Sequence, residues 1–154
     1  MPDDPDMIAN WQRLGREVTT SGRLVAGDIA RLAELGVRQV INLALADSPG
    51  ALADEGAVLA AAGIGYSHIP VPFDAPAENQ FADFCQALQA SARPVHVHCI
   101  MNYRVSAFFY RYHRDRCGMA EADARALMAQ QWQPDDGGQA EMQVWTSFIS
   151  RENS

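Results

Sequence analysis

The sequence predicts an α/β fold with a mainly parallel central sheet of about four to five strands, flanked by helices. Short apolar segments of strand type alternate with helical segments, an order that favours parallel strands joined by helical crossovers. Two of the helical segments run into a glycine, Gly36 or Gly63, the usual C-terminal cap. In sheets of this kind the ligand binds beyond the carboxyl ends of the strands. Residues that directly follow a predicted strand are therefore the candidates for a site.

The first half of the chain yields two strands and two helices. Residues 16–22 read as a short strand that ends in a turn at Ser21-Gly22. A helical stripe from Ile29 to Leu35 follows and stops at Gly36. Residues 38–45 form an apolar run typical of a buried strand, and residues 51–63 are helical.

The second half repeats the alternation. Residues 66–73 are predicted as a strand broken by Pro72, and residues 94–99 as a further strand. Between them an apolar stripe recurs at helical spacing and indicates an amphipathic helix; its members are Phe81, Phe84, Cys85 and Leu88. The remaining predicted helices span residues 104–117, 120–131 and 139–151, the last two flanking a loop at 133–138.

Composition is that of an ordinary globular domain. The 154 residues are 48% hydrophobic and 20% charged, without repeats or a low-complexity tract, so we predict a single domain over residues 1–154, of which residues 1–10 could be flexible. The net charge of −7 argues against nucleic acid as a partner, because that binding relies on a basic surface.

Membrane and secretion signals are not recognisable in the sequence. No apolar run approaches the length of a membrane span, and the start MPDDPDMIANW lacks the features of a signal peptide. An odd number of cysteines, Cys85, Cys99 and Cys117, cannot form a complete disulfide framework. We therefore expect a reducing, cytoplasmic setting and no membrane partner, while the oligomeric state stays open.

The segment VHVHCIMNYRVSAFF, residues 95–109, carries the strongest functional signal. A strand runs into Cys99, and a helix begins shortly after it. Backbone N–H groups and the helix dipole at such a junction bind oxyanions and stabilise a thiolate. Cys99 would then be a nucleophile, and Arg104 a bidentate clamp for a tetrahedral anion.

The intervening residues supply the anion-binding loop. Asn102 stands where such a loop needs a left-handed turn, which asparagine tolerates better than most residues. Ser106 could donate a hydrogen bond to the sulfur of Cys99. The predicted phosphate-binding loop comprises Ile100, Met101, Asn102, Tyr103 and Arg104.

A buried cysteine is also often only a small hydrophobic residue. Cys85 fits that description, because it lies on the apolar stripe of its helix, and Cys117 has no partner pattern. For Cys99 the combination of a strand end, His98, Arg104 and a helix start favours function.

These residues resemble a known enzyme superfamily. VHVHC followed by a short loop, an arginine and a helix resembles the cysteine-dependent protein tyrosine and dual-specificity phosphatases, and YSHIPVPFDAP resembles their acid loop. From about residue 11 onward, the chain is similar to small bacterial tyrosine-phosphatase-like proteins. The resemblance implies that Cys99 forms a phosphocysteine, that Arg104 holds the phosphoryl oxygens and that Asp74 protonates the leaving group. It implies no metal and no cofactor, and a phosphorylated protein or small-molecule phosphate as the substrate.

Two of these roles have structural alternatives. Asp74 stands two residues before Pro76, so it could instead cap the following helix. His98 either tunes Cys99 or packs beneath the sheet rim, and His96 is expected to be structural.

The spacing from cysteine to arginine departs from the family pattern, which has five intervening residues where this chain has four. Either Val105 occupies the arginine position in a loop of full length, or the helix starts early and Arg104 takes the role. Val105 continues an apolar stripe with Phe108, Phe109 and Tyr112. We therefore favour the short loop with Arg104 facing the site.

Two other functions remain open. The short spacing is also similar to the active-site loop of rhodanese-type sulfurtransferases, although IPVPFDAP has no evident use in sulfur transfer. The chain could also be a catalytically silent module that binds a phosphorylated ligand. The physiological substrate cannot be read from the sequence.

Overall fold

The computed structural model of the protein describes residues 4–134 and 140–151. Its strands are β1 (Gln12–Arg13), β2 (Val18–Ser21), β3 (Gln39–Asn42), β4 (Gly65–His68) and β5 (Val95–His98). Its helices are α1 (Ala26–Glu34), α2 (Glu55–Ala61), α3 (Glu78–Ala90), α4 (Tyr103–Asp115), α5 (Glu121–Ala129) and α6 (Ala140–Ser150). No helix in these described ranges is long and apolar enough to cross a bilayer.

The strands form one sheet in the order β1-β2-β5-β3-β4. Strand β1 pairs antiparallel with β2, and all other pairs are parallel. The predicted fold class, a mainly parallel sheet flanked by helices, is thus confirmed.

The register of the parallel strands brings their carboxyl ends to one edge. His98, the last residue of the central strand β5, pairs with Ser21 of β2 and with Asn42 of β3. Asn42 in turn pairs with His68 at the end of β4. The segments that follow these strands therefore leave the sheet at the same edge.

Alternation along the strands divides the interior into two cores. Val95 and Val97 of β5 belong to the larger core, which helices α3 to α6 cover. Val40 of β3 belongs to the smaller core beneath α1 and α2. The central strand is buried along its whole length.

Element ends follow local backbone chemistry. Gly36 and Gly63 adopt positive φ angles of 82° and 77°, which confirms them as helix caps. Helix α2 begins later than predicted, because Asp54 takes a left-handed conformation with φ of 54°. Strand β4 ends at His68, two residues before Pro70, which has no backbone N–H to donate.

Strand β1 was missing from the sequence prediction. With two residues it is too short to show a periodic pattern, and its position depends on pairing with Thr19 and Thr20 of β2. Residues 1–10 were predicted as a segment that could be flexible, but two of them contact the rest of the fold. Ile8 is buried in the smaller core, and Asp4 forms an ion pair of 2.6 Å with Arg13.

The C-terminal helix α6 is held by a buried arginine. Arg111 of α4 is fully buried, with its guanidinium 4.2 Å from the ring centre of Phe81 and 4.6 Å from that of Phe148 in α6. Its two terminal nitrogens donate to the Glu78 carboxylate at 2.7 and 2.9 Å. These hydrogen bonds lower the pKa of Glu78. Arg111 thereby ties together α3, α4 and α6.

His96 is a polar group inside the sheet and is satisfied there. Its ring nitrogens lie 2.9 Å from Thr19 Oγ1 and 2.8 Å from Ser21 Oγ, and Trp11 stacks on the ring. The structural role expected for His96 agrees with this placement. Burial, together with the neighbouring His98, holds the pKa of His96 well below its usual value of 6.5.

We predict that His96 contributes to acid sensitivity. Below about pH 6.5 the unfolded chain binds a proton at His96 while the folded protein does not. The free energy of unfolding therefore decreases as the pH is lowered, by at most about 1.4 kcal/mol per pH unit. His96→Gln, which can still bond both hydroxyls, is expected to flatten the decline of Tm between about pH 6.5 and 5. An identical slope for both proteins in thermal unfolding would contradict this prediction.

Candidate active site

Cys99 lies directly after β5, at the sheet edge where the parallel strands end. Its backbone N–H donates to the Ser21 carbonyl at 3.4 Å. The side chain packs in the larger core and has no exposed surface. The thiol thus has no surface open to solvent.

The first two carbonyl groups of the loop that begins at Cys99 accept hydrogen bonds from neighbouring segments. The carbonyl of Cys99 lies 3.1 Å from His98 Nδ1, and the carbonyl of Ile100 accepts from the Arg23 N–H at 2.8 Å. In a trans peptide the next N–H points the opposite way, so the N–H groups of Ile100 and Met101 point away from these supports. No acceptor among the described residues takes a hydrogen bond from the N–H groups of residues 100–104. Such a run of free donors at a helix start suits an anion.

Asn102 makes the turn from the loop into α4. Its φ of 65° confirms the left-handed conformation predicted for this position. The buried side-chain amide donates to the Asn10 carbonyl at 2.9 Å and to Thr20 Oγ1 at 3.1 Å. The loop is thereby anchored to the N-terminal segment and to β2.

Gly22 allows this loop to approach β2 closely. A Cβ at this position would lie 2.5 Å from the Ile100 carbonyl oxygen and 2.8 Å from Asn10 Oδ1. Both distances are too short for non-bonded atoms, and the first involves backbone. A side chain at Gly22 would therefore push the loop out of place.

We predict that Gly22→Ala displaces the loop. It should lower the free energy of unfolding by roughly 1–3 kcal/mol and weaken the binding of phosphate or vanadate. Gly27→Ala is the matched control, because a Cβ there meets nothing within 4 Å and alanine favours the helix. Denaturant unfolding and calorimetry measure the two effects, and unchanged anion affinity in Gly22→Ala would contradict the expectation.

The short-loop interpretation requires Val105 in the core and Arg104 at the site, and the structure has both. Val105 is fully buried in the larger core, as its stripe predicts. Arg104 turns the other way, lines an open cleft and donates from Nη1 to the Val71 carbonyl at 2.9 Å. Its guanidinium also lies 5.9 Å from the ring centre of Phe73.

The cleft has a volume of about 560 Å³ and is bordered by three loops, by the start of α4 and by α6. Arg104 is the one charged side chain among its described lining residues, and most of the others are apolar. The full lining is Leu45, Ser48, Pro49, Phe73, Ile100, Met101, Tyr103, Arg104 and Met142. Cys99 does not reach the cleft surface.

The segment after β4 forms another wall of the cleft. The N–H of Val71 donates to the Leu43 carbonyl at 3.0 Å, and Trp145 Nε1 of α6 donates to the Phe73 carbonyl at 2.6 Å. Asp74 follows Phe73 in an exposed turn and is not among the cleft-lining residues. The sheet edge and the contact of Arg104 with Val71 thus bring the Asp74 segment next to the cysteine loop.

The capping alternative for Asp74 is wrong. Helix α3 has its N-cap at Ala77, whose backbone N–H donates to the Gln80 side chain at 2.9 Å. Asp74 lies three residues before this cap. Its carboxylate is therefore available to solvent rather than to the helix.

The hydroxyl of Ser106 makes its hydrogen bond within α4. Its hydroxyl donates to the Tyr103 carbonyl at 3.1 Å, and the residue borders a small cavity toward β1 and α5. None of the described hydrogen bonds joins Ser106 to Cys99. The supporting role of Ser106 at the sulfur stays a prediction, and in this structure its hydroxyl donates to the Tyr103 carbonyl.

Sequence reasoning missed one buried partner of the loop. Glu55, at the start of α2, lies with Oε2 2.6 Å from His98 Nε2, and both side chains are buried. His98 therefore links α2 to the carbonyl of Cys99. A sequence separation of 43 residues leaves no local pattern that could have revealed this pair.

The other cysteines differ from Cys99 in position. Cys85 is buried on α3, and burial raises the pKa of its thiol, in agreement with the expected role as a core residue. Cys117 is exposed beyond the end of α4. Neither lies at the carboxyl edge of the sheet.

Comparison with known proteins agrees with this architecture. A family model described as "Beta-lactamase hydrolase-like protein, phosphatase-like domain" matches residues 10–110. A protein from Shewanella putrefaciens CN-32 described as a candidate phosphatase (DUF442) is 30% identical, with a TM-score of 0.78 over 94% of this chain and 91% of that one. No match was found among curated proteins.

Two more distant structures share the fold. A cysteine-to-serine variant of P. aeruginosa TpbA in complex with phosphotyrosine is 21% identical, with a TM-score of 0.75 over 99% of this chain and 89% of that one. PTPMT1 in complex with PI(5)P is 18% identical, with a TM-score of 0.69 over 90% of this chain and 94% of that one.

The family model covers most of the chain, including the whole cysteine loop and its supports. The Shewanella protein matches at the level of sequence and over nearly its full length. The chain therefore belongs to the family of phosphatase-like domains of the beta-lactamase hydrolase-like proteins.

Proposed function

We propose that the protein hydrolyses a phosphomonoester through a phosphocysteine intermediate on Cys99. The observation that carries this proposal is the position of Arg104. Although only four residues separate it from Cys99, its guanidinium lies in the cleft beside a loop with five free N–H donors. A fixed planar cation and backbone donors are what a phosphoryl group with charge on three oxygens requires.

The reaction divides into two displacements. The Cys99 thiolate attacks phosphorus, the bond to the ester oxygen breaks, and that oxygen takes a proton from Asp74. Water then attacks the phosphocysteine, Asp74 accepts its proton, and phosphate leaves with the thiolate restored. Arg104 and the loop N–H groups hold the non-bridging oxygens in both steps. Because Cys99 has no exposed surface in this state, the loop must open toward the cleft when the phosphoryl group enters.

The substrate carries one phosphate on a largely apolar body. Arg104 is the one cation that lines the described part of the cleft, and apolar side chains surround it. Structural relatives bind phosphotyrosine and PI(5)P, so either a phosphorylated protein or a small-molecule phosphate is a substrate of the right chemistry. A reducing cytoplasm suits the reaction, since Cys99 must stay a thiol and all three cysteines are free.

Turnover of p-nitrophenyl phosphate tests the proposal. We expect hydrolysis by the wild type and by Cys117→Ser, whose thiol is exposed and remote, but none by Cys99→Ser. A thiosulfate:cyanide transfer assay on the same three proteins tests the sulfurtransferase alternative. Cysteine-dependent sulfur transfer without phosphatase turnover would replace the phosphatase proposal.

A second candidate is a binding module that recognises a phosphorylated ligand without turnover. The complete burial of Cys99 favours it, because a thiol without exposed surface is shielded from a phosphoryl group bound in the cleft. In that case phosphotyrosine or phosphate should bind equally to the wild type and to Cys99→Ser, with no hydrolysis by either. Calorimetric titration measures the affinities.

A further inference from the structure

The buried pair of Glu55 and His98 lies directly behind the cysteine loop. Glu55 Oε2 is 2.6 Å from His98 Nε2, and the Cys99 carbonyl oxygen is 3.1 Å from His98 Nδ1. Glu55 is 6% exposed and His98 is 2% exposed. No arginine among the described residues forms an ion pair with Glu55, so His98 is its partner.

The chemistry of these contacts decides which nitrogen of His98 carries hydrogen. A carbonyl oxygen can only accept, so Nδ1 must donate to Cys99. Nε2 faces a carboxylate, and the short contact requires a proton between the two atoms. Whether that proton resides on Nε2 or on Oε2, Nδ1 keeps the hydrogen that it donates to the carbonyl.

His96 provides an internal contrast on the same strand. It faces two hydroxyl groups, each of which can donate or accept, so a neutral ring of either tautomer is satisfied there. His98 instead faces a carbonyl oxygen and a carboxylate oxygen, both of which accept hydrogen bonds. The difference between the two histidines of β5 therefore comes from the Glu55 carboxylate and the Cys99 carbonyl.

Few other ionisable groups face the pair. Tyr66 of β4 approaches Glu55, but burial raises the pKa of its phenol, and the hydroxyl accepts from Asn42 at 3.1 Å. His96 stacks against His98 with ring centres 6.4 Å apart, and it is held neutral by burial. Neither competes with Glu55 for the proton at Nε2.

We propose that Glu55 is a positioning residue that holds the His98 ring at Nε2, in the orientation in which Nδ1 donates to the Cys99 carbonyl, and thereby orients the first peptide group of the cysteine loop. With the Cys99 carbonyl held by His98, the N–H of Ile100 points to the opposite side, toward the bound anion. An unprotonated Nδ1 would repel the carbonyl and release this peptide group. The anion-binding arrangement of the loop thus depends on a carboxylate from α2.

Nitrogen-15 NMR of labelled histidines tests the assignment without any turnover. At about pH 7 we expect His98 Nδ1 to appear protonated in the wild type, while His96 shows one protonated nitrogen as a neutral ring. An unprotonated Nδ1 on His98 would overturn the proposal. This result decides the inference even if the protein proves to have no phosphatase activity.

Two variants test the effect on the loop, and this part rests on the proposed function for its activity readout. Glu55→Leu removes any donor or acceptor at Nε2 and is expected to reduce phosphate affinity and turnover about 10–100-fold, as for other carboxylates that orient a functional histidine. Glu55→Gln should recover most of that loss, because its amide N–H can donate to Nε2 and leave the hydrogen on Nδ1. Glu34→Gln, an exposed carboxylate of α1, serves as the control and should match the wild type.

Stability separates positioning from packing. Replacing a buried polar residue with an apolar one of similar size often leaves stability unchanged or raises it, so a purely structural role would favour leucine over glutamine in both Tm and activity. The proposal requires the opposite order in phosphate affinity. If Glu55→Leu folds and binds phosphate as well as Glu55→Gln does, the positioning role is refuted. If Glu55→Leu does not fold, the nitrogen-15 spectrum of the wild type and the comparison of Glu55→Gln with the wild type decide.

Discussion

Replacement of Arg104 with alanine is expected to reduce phosphatase turnover by about 10³-fold or more and to abolish tight binding of phosphate or vanadate. A guanidinium that bridges two phosphoryl oxygens stabilises the transition state by an amount of this order. In the structure the guanidinium already faces the cleft. The measurements are steady-state kinetics with an aryl phosphate and calorimetry with vanadate.

Arg104→Lys separates a clamp from a simple link between loops. Arg104 Nη1 donates to the Val71 carbonyl, a contact with one acceptor that a lysine ammonium could also make. A bidentate contact with phosphate needs the planar guanidinium, so the lysine variant should be nearly as inactive as the alanine variant. Lysine restoring full activity would show that Arg104 only joins the two loops.

Two controls accompany these variants. Arg93→Lys changes an arginine that likewise donates to a backbone carbonyl, that of Leu88, but lies at the opposite end of β5. Val105→Ala should cost roughly 1–3 kcal/mol of stability with little effect on anion affinity, because Val105 is in the core. If Arg104→Ala retained turnover and anion binding, the clamp assignment would fail.

The second large effect concerns Asp74 and depends on the leaving group. Asp74→Asn is expected to lower turnover by roughly 10²–10⁴-fold for an alkyl phosphate, whose poor leaving group needs a proton, and far less for p-nitrophenyl phosphate. Since Ala77 and Gln80 cap α3, the substitution should leave Tm unchanged. Asp83→Asn, an exposed carboxylate of α3, is the matched control. Equal losses for both substrates would exclude Asp74 as the general acid.

Much of the architecture could be read from local signals. The alternation of strands and helices, the glycine caps and the left-handed Asn102 each follow from a residue's own backbone preference or from a short periodic pattern. The apolar stripe of α4 correctly predicted that Val105 is buried. It therefore also indicated that Arg104, the preceding residue, faces away from the core and toward the cleft. The roles of Cys99, Arg104 and Asp74 in a reaction remain predictions.

What escaped the sequence depends on contacts between distant segments. Strand β1 exists because it pairs with β2, and the bond between Glu55 and His98 joins elements that have no shared pattern. Ser106 was expected to donate to the sulfur, but its hydroxyl donates to the Tyr103 carbonyl in the first turn of α4, and the residue borders the cavity toward β1 and α5. A difference of one residue in loop length changes which side of the helix each later residue faces.

The central place of β5 also constrains how the molecule assembles. Strands β2 and β3 do not pair with each other; each pairs with β5, which is synthesised after both. Until residue 98 is available, the chain can form only two separate ribbons, and the facing edges of β2 and β3 are open to other chains. A truncated chain that ends before β5 should therefore aggregate rather than fold, and in the complete chain the last strand to enter the sheet is the one that delivers Cys99.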